Sequence, residues 1–348
     1  MKKWCKKTGL LCLLFATALV LCSCQKPSDI KKEASAWAYD TFCSVTVYGY
    51  NGEDLQAYFE TQLQEGQMLF SPDAQGRVFA QTDGQVLAFQ NMREARLMEM
   101  AWQLSSWTDG AFDLTVAPLS ALWNVSGADR PPEKQAIADA LSLVGYQTVA
   151  CTEEALRFSH VGQGLDLGAF GKGNGGDLVA DRLQTGGALG GMVDLGGNIT
   201  LFGSKPDGSL FRIGVRDPAD DGGGVLGILN LTDTSVVTSG GYERYFEYEG
   251  VRYHHILDPR TGWPAESDLL SATVVCSDGA LADMLSTACF LLGEERALAL
   301  LQTVNASDKW DNAQAILVLR TGEVVVTSGL SQRFSLTSSA YRLKESPL

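Results

Sequence analysis

The sequence predicts an α+β fold: a mixed or antiparallel β-sheet core with flanking helices. Two observations carry this. Segments with helical spacing concentrate in the first half, while short β-like runs crowd the chain from about residue 188. Helix and strand patterns also do not alternate regularly, as the βαβ units of a parallel sheet would require. With 348 residues, 45% of them hydrophobic, the chain can bury a sizeable core.

The elements are justified in chain order. Lys2, Lys3, Lys6 and Lys7 precede the apolar run "GLLCLLFATALVLCSC", which ends in Leu21-Cys22-Ser23-Cys24. This reads as a signal peptide over 1–23 with a lipobox-like end, leaving Cys24 as the lipidated N-terminus. The polar residues 24–36 read as a tether. Residues 37–50, "WAYDTFCSVTVYGY", alternate as a strand should. "GEDLQAYFETQLQEGQMLFS" places Leu55, Tyr58, Phe59 and Leu63 on one helical face. Further helices are expected near "MREARLMEMAWQLSSWT" and "PPEKQAIADALSLVG", the latter with Pro at its start and Gly at its end. Strand-like runs follow from "GGMVDLGGNITLFG" to "YFEYEGVRYHHILD". "SATVVCS" then leads into the helix "ALADMLSTACFLLG", and "AILVLR" and "EVVVTSG" close a domain spanning 37–335. Residues 336–348 read as a loose tail.

Composition excludes several functions. Without residues 1–23, which hold four Lys and no acid, 23 basic residues face 41 acidic ones, a formal charge of −18. Such a chain does not suit nucleic acid. Cys43, Cys151, Cys276 and Cys289 are far apart and form no C-x-x-C zinc pattern. They read as free thiols or as supplying a single disulfide.

Gly171-Lys172-Gly173-Asn174-Gly175-Gly176 matches G-x-G-x-x-G, with Asp194 further on as a candidate ribose ligand. The match falls in mid-chain, without the parallel strands of a doubly wound sheet, so the Rossmann reading is set aside. The P-loop fails because Gly173, not Ser or Thr, follows Lys172.

Several segments together resemble the ApbE family of FAD:protein FMN transferases. These are "DGAFDLTVAPLSALW" (109–123), "DLGAFGKGNGGDLVADRL" (166–183), "VDLGGNITLFG" (193–203), "VVTSGGYERYFEYEGVRYHHILDPRTGWPAE" (236–266) and "ALADMLSTACFLLG" (280–293). The resemblance covers about residues 38–330 and implies that the glycines serve FAD on a scaffold other than the Rossmann fold. Tyr39-Asp40-Thr41 departs from the family's Met-Gly-Thr, and Pro72 from its usual polar residue.

Breaking a pyrophosphate needs positioning and charge neutralisation, which suits Mg²⁺ and oxygen ligands. Asp283 and Thr287 lie four apart, on one helical face. On the residues alone, Asp283 reads first as a partner of the helix dipole. The resemblance implies instead metal ligation by Asp283, Thr287 and the backbone carbonyl of Ala169. It further implies FAD contacts at Ala111, Phe112, Asp113, Asp166, Lys172, Thr238, Ser239 and Gly240, with His255 as general base. His254 would be the extra imidazole and His160 a surface residue. The implied activity is transfer of FMN from FAD to a Thr or Ser hydroxyl with release of AMP. The implied acceptors are flavoprotein subunits of membrane redox complexes of the Rnf and Nqr type. The implied location is extracytoplasmic, on a lipid anchor. The alternatives are an FAD pyrophosphatase giving FMN and AMP, and a non-catalytic FAD-binding lipoprotein.

Overall fold

The computed structural model describes residues 30–344, apart from 53, 71 and 221. The expected signal peptide and Cys24 lie outside the described residues. Among those described, no helix is long and apolar enough to cross a membrane.

The fold is built on a nine-stranded sheet whose spatial order is the chain order. Its strands are β1 (Lys31–Ala38), β2 (Thr41–Tyr48), β3 (Gly190–Leu195), β4 (Asn198–Gly203), β5 (Thr234–Gly240), β6 (Leu269–Cys276), β7 (Gln314–Leu319), β8 (Glu323–Val326) and β9 (Arg342–Lys344). Neighbours pair antiparallel except β8 and β9, which run parallel. Sequential antiparallel pairing confirms the α+β expectation and leaves no βαβ crossover for a doubly wound sheet.

Helices α1 (Leu55–Gln67), α2 (Met92–Trp107), α3 (Ala117–Trp123), α4 (Lys134–Leu141), α5 (Gly171–Thr185) and α6 (Gly279–Asn305) flank it. On one face, Leu55, Phe59 and Leu63 of α1 and Val179 and Leu183 of α5 pack on Val45, Val47, Val193 and Leu195. The opposite face packs on a three-stranded sheet, 211–216, 225–231 and 334–336, through Leu201, Val236, Val275 and Ile316, with Tyr48 and Met192 at the margin. β6 is buried along nearly its whole length, beneath the apolar first half of α6. At Gly293 (φ 76°) α6 breaks, and Asp268 Oδ1 accepts the Glu294 N–H where the helix resumes.

Three boundaries differ from the sequence reading. The single strand expected over 37–50 is the end of a hairpin, because Tyr39 (φ 51°) and Asp40 (φ 56°) both turn left-handed. That is the pattern of a two-residue type I′ turn. The tether ends by Lys31: residues 31–36 already belong to β1. Their inward positions are small alanines among polar residues, so composition hid the alternation. The tail is also partly structured, since Arg342–Lys344 pairs with Glu323–Val325.

Candidate active site

A cavity of about 700 Å³ opens where β5, the β3–β4 turn, the start of α5 and the first turns of α6 converge. The crossing of α5 and α6 explains the glycine run. A Cβ on Gly173 would collide with the Gly279 carbonyl, and one on Gly175 with the Tyr39 hydroxyl. The glycines therefore let α5 approach its protein neighbours. They do not line the cavity, so the expectation that they serve the dinucleotide directly is corrected. Only Lys172 of this run faces it.

The close crossing brings the Gly173 N–H to Asp283 Oδ2 at 2.9 Å. Asp283 is 4% exposed, and burial pushes its carboxyl above the usual range, while Lys172 pulls it back. A carboxylate so buried is costly without a cation. One turn on, Thr287 Oγ1 lies 3.2 Å from Ser239 Oγ, which is 2.8 Å from Ser286 Oγ. Asp166 Oδ1 accepts the Gly168 N–H at 2.9 Å and so fixes the turn that presents Ala169 to the cavity. Asp283, Thr287 and the Ala169 backbone offer hard oxygen donors of the kind Mg²⁺ takes.

Across the cavity, both the backbone N–H and Nδ1 of His255 lie against the Arg244 carbonyl, at 3.1 and 3.2 Å. A carbonyl only accepts, so Nδ1 carries the proton and Nε2 keeps its lone pair. Burial, aided by the Arg244 charge, lowers the imidazole to about 3. It is neutral near pH 7.

The model of the ApbE family matches residues 39–309. The chain is 30% identical over 328 residues to the FAD:protein FMN transferase of Treponema pallidum, covering 87% of this chain and 89% of that one. It is 34% identical over 251 residues to one from Klebsiella pneumoniae, covering 71% and 76%. The structure superposes on the apo form of the Pseudomonas stutzeri flavinyl transferase ApbE with TM-score 0.71 at 29% identity, over 89% and 98% of the chains. For the Thermotoga maritima ApbE protein the values are 0.70 and 28%, over 87% and 99%.

The chain belongs to the ApbE family.

Within this ApbE protein, Phe112, Asp113, Asp166, Ala169, Lys172, Thr238, Ser239, Gly240, His255, Asp283 and Thr287 all line the one cavity. Ala111 does not. It is fully buried in the turn that follows α2, where its N–H bonds to the Thr108 carbonyl. Asp113 reaches the wall with both oxygens engaged: Oδ1 takes the Thr115 N–H and hydroxyl, and Oδ2 the Tyr146 N–H. It helps to build the wall, with Oδ1 doubly and Oδ2 singly engaged. Thr238 Oγ1 is similarly paired with Thr273 Oγ1 at 2.8 Å. His160 is exposed, as expected. The four cysteines among the described residues are free, Cys151 partly accessible and the others buried.

Sequence reasoning passed over Asn198 and Asp177. Asn198 lines the cavity, and its side chain helps to hold the Asp283 carboxyl in its charged form. Asp177, at the acidic end of the glycine motif, accepts from the N–H groups of Gly279 and Ala280 and so ties α5 to the start of α6. Burial and the Asp278 charge push it up to about 8. Both residues sit inside motifs already quoted, at the ends of "DLGGN" and "GKGNGGD".

Proposed function

We propose that this protein transfers FMN from FAD to a Thr or Ser hydroxyl of an acceptor flavoprotein, with Mg²⁺ as cofactor and AMP as the leaving group. One observation carries the reading. Lys172, His255 and the buried Asp283 line the same cavity. A base, a phosphate-attracting cation and a carboxylate needing a metal thus share one cavity.

Asp283, Thr287 and the Ala169 carbonyl would hold Mg²⁺. When bound, it withdraws charge from phosphoryl oxygens. Lys172 orients the pyrophosphate by charge. His255 Nε2 accepts the proton of the acceptor hydroxyl. The freed oxygen bonds to the FMN phosphorus, the bond from that phosphorus to the bridging oxygen breaks, and the bridging oxygen leaves with AMP. In-line phosphoryl chemistry of this kind rests on positioning and electrostatics.

We further propose an extracytoplasmic location on a lipid at Cys24, and acceptors among Rnf- and Nqr-type subunits. The Leu21–Cys24 segment supports the first and the family resemblance the second. The test incubates the protein with FAD, Mg²⁺ and an acceptor domain, then measures AMP and acceptor mass after denaturation. FMN retained on the acceptor is the expected result. AMP released equally without acceptor would mark a pyrophosphatase, and neither product a binder.

A further inference from the structure

The β1–β2 hairpin carries two large aromatic side chains that no described residue covers. Trp37 is 73% exposed and Phe42 60%, and the two stand directly opposite each other across the strands. Of the other cross-strand pairs on this face, Ser35–Ser44 and Glu33–Thr46 are polar, and Lys31–Tyr48 lies at the far end of the hairpin. The three-stranded sheet reaches the same face only at the far end of the hairpin, where Tyr48 packs on Phe211. The turn beyond the pair, Tyr39 to Thr41, forms part of the cavity wall. So do Asp194, beside Ser44 on β3, and Gly196, which packs on Thr41. The hairpin tip is also rigid, because Tyr39 is packed against Gly66 and Gly175.

We propose that the Trp37–Phe42 pair is the surface on which the acceptor flavoprotein docks to bring its hydroxyl into the cavity; this rests on the transferase reading above. Rigid exposed aromatics at a rim are the kind of anchor that dominates protein contacts. Their combined area, about 300–500 Å² at most, falls short of the roughly 800 Å² per partner of a stable dimer. It fits a substrate that must leave after each transfer. A bilayer does not fit, because lipid on the pair would face the cavity mouth. Asp40 in the turn and Asp194 opposite Ser44 are acidic, and Lys31, on the same face, is paired with Glu33, whereas interfacial membrane contacts favour free Lys and Arg.

The test compares the wild type with W37S/F42S. The probe is an unflavinylated Rnf- or Nqr-type acceptor domain whose target Thr is changed to Ala, so that it binds without reacting. The expected result is at least about tenfold weaker binding, with FAD affinity and thermal melt unchanged. Transfer to the reactive domain should show a raised KM at constant kcat. Unchanged binding of the probe overturns the inference while leaving the transferase reading intact. So does a double variant that loses only binding to phosphatidylethanolamine–phosphatidylglycerol vesicles, or only a concentration-dependent dimer. Absence of any FMN transfer by the wild type removes the transferase reading, and this inference with it.

Discussion

His254 and His255 are neighbours at the end of one strand, and they face different spaces. His255 lines the cavity shared with Lys172 and Asp283, whereas His254 lines a second hollow of about 650 Å³ beside Trp263 and Phe290. Each fixes its tautomer on a backbone carbonyl, but with the opposite nitrogen. His254 spends Nε2 on Ala265, at 3.1 Å, and stacks edge-on against Phe290. His255 spends Nδ1 on Arg244 and keeps Nε2 for a proton. Burial keeps both neutral, so protonation state does not separate them. What separates them is which nitrogen remains and what it faces.

Four experiments can break or sharpen this contrast. The largest effect should come from the His255 side. Asp283→Asn should abolish Mg²⁺-dependent AMP release while the fold survives, since Asn keeps the shape and removes the charge. Normal Mg²⁺ activation with a small loss of stability would return Asp283 to a helix-dipole role. Next, His255→Ala should cut transfer by about 10²–10⁴-fold with FAD binding retained. Steady-state rates at saturating FAD measure it. His254→Ala should do the reverse, costing about 2 kcal/mol in denaturant melts through the lost Ala265 bond and Phe290 contact, with transfer little changed. If the two variants swap behaviour, the roles assigned to the two rings are wrong.

The smallest effect concerns the joint beneath the cavity. The folded pKa of Asp177, about 8, lies above its ordinary 3.8, so between these values the folded protein binds the extra proton. Its contribution therefore weakens as pH rises from about 4 to about 8. Asp177→Asn keeps an acceptor oxygen for Gly279 and should flatten that part of a melting-temperature profile. An unchanged slope would place the effect elsewhere.

How legible the site was depended on what each residue does. Lys172, His255, Asp283 and Thr287 came from the family resemblance, since on the residues alone Asp283 reads as a helix-dipole partner, and all four line the cavity. Ala111 and Asp113 were carried over by position. Position did not reveal that one is sealed in a turn and the other engaged by Thr115 and Tyr146. The glycine run was misread for the same reason: a pattern shows that a Cβ is excluded, not what excludes it. Here it is Gly279 and Tyr39. In the fold, α1, α2 and α6 were visible from apolar period. β1 was not, because alanines supplied its inward positions and a two-residue turn lay inside an apparently continuous strand.

The sequential order of the sheet has a kinetic consequence. Most of its pairings join strands close in the chain, but Tyr48 of β2 pairs with Gly190 of β3, 142 positions later. Closing that loop is the entropically slow joint of an otherwise local sheet. The cavity wall runs from Tyr39 to Leu291, across this joint. No nascent fragment that stops before α6 possesses the site. FAD binding should therefore appear only at the last folding step, together with the docking of the hairpin, and not in any earlier compact intermediate.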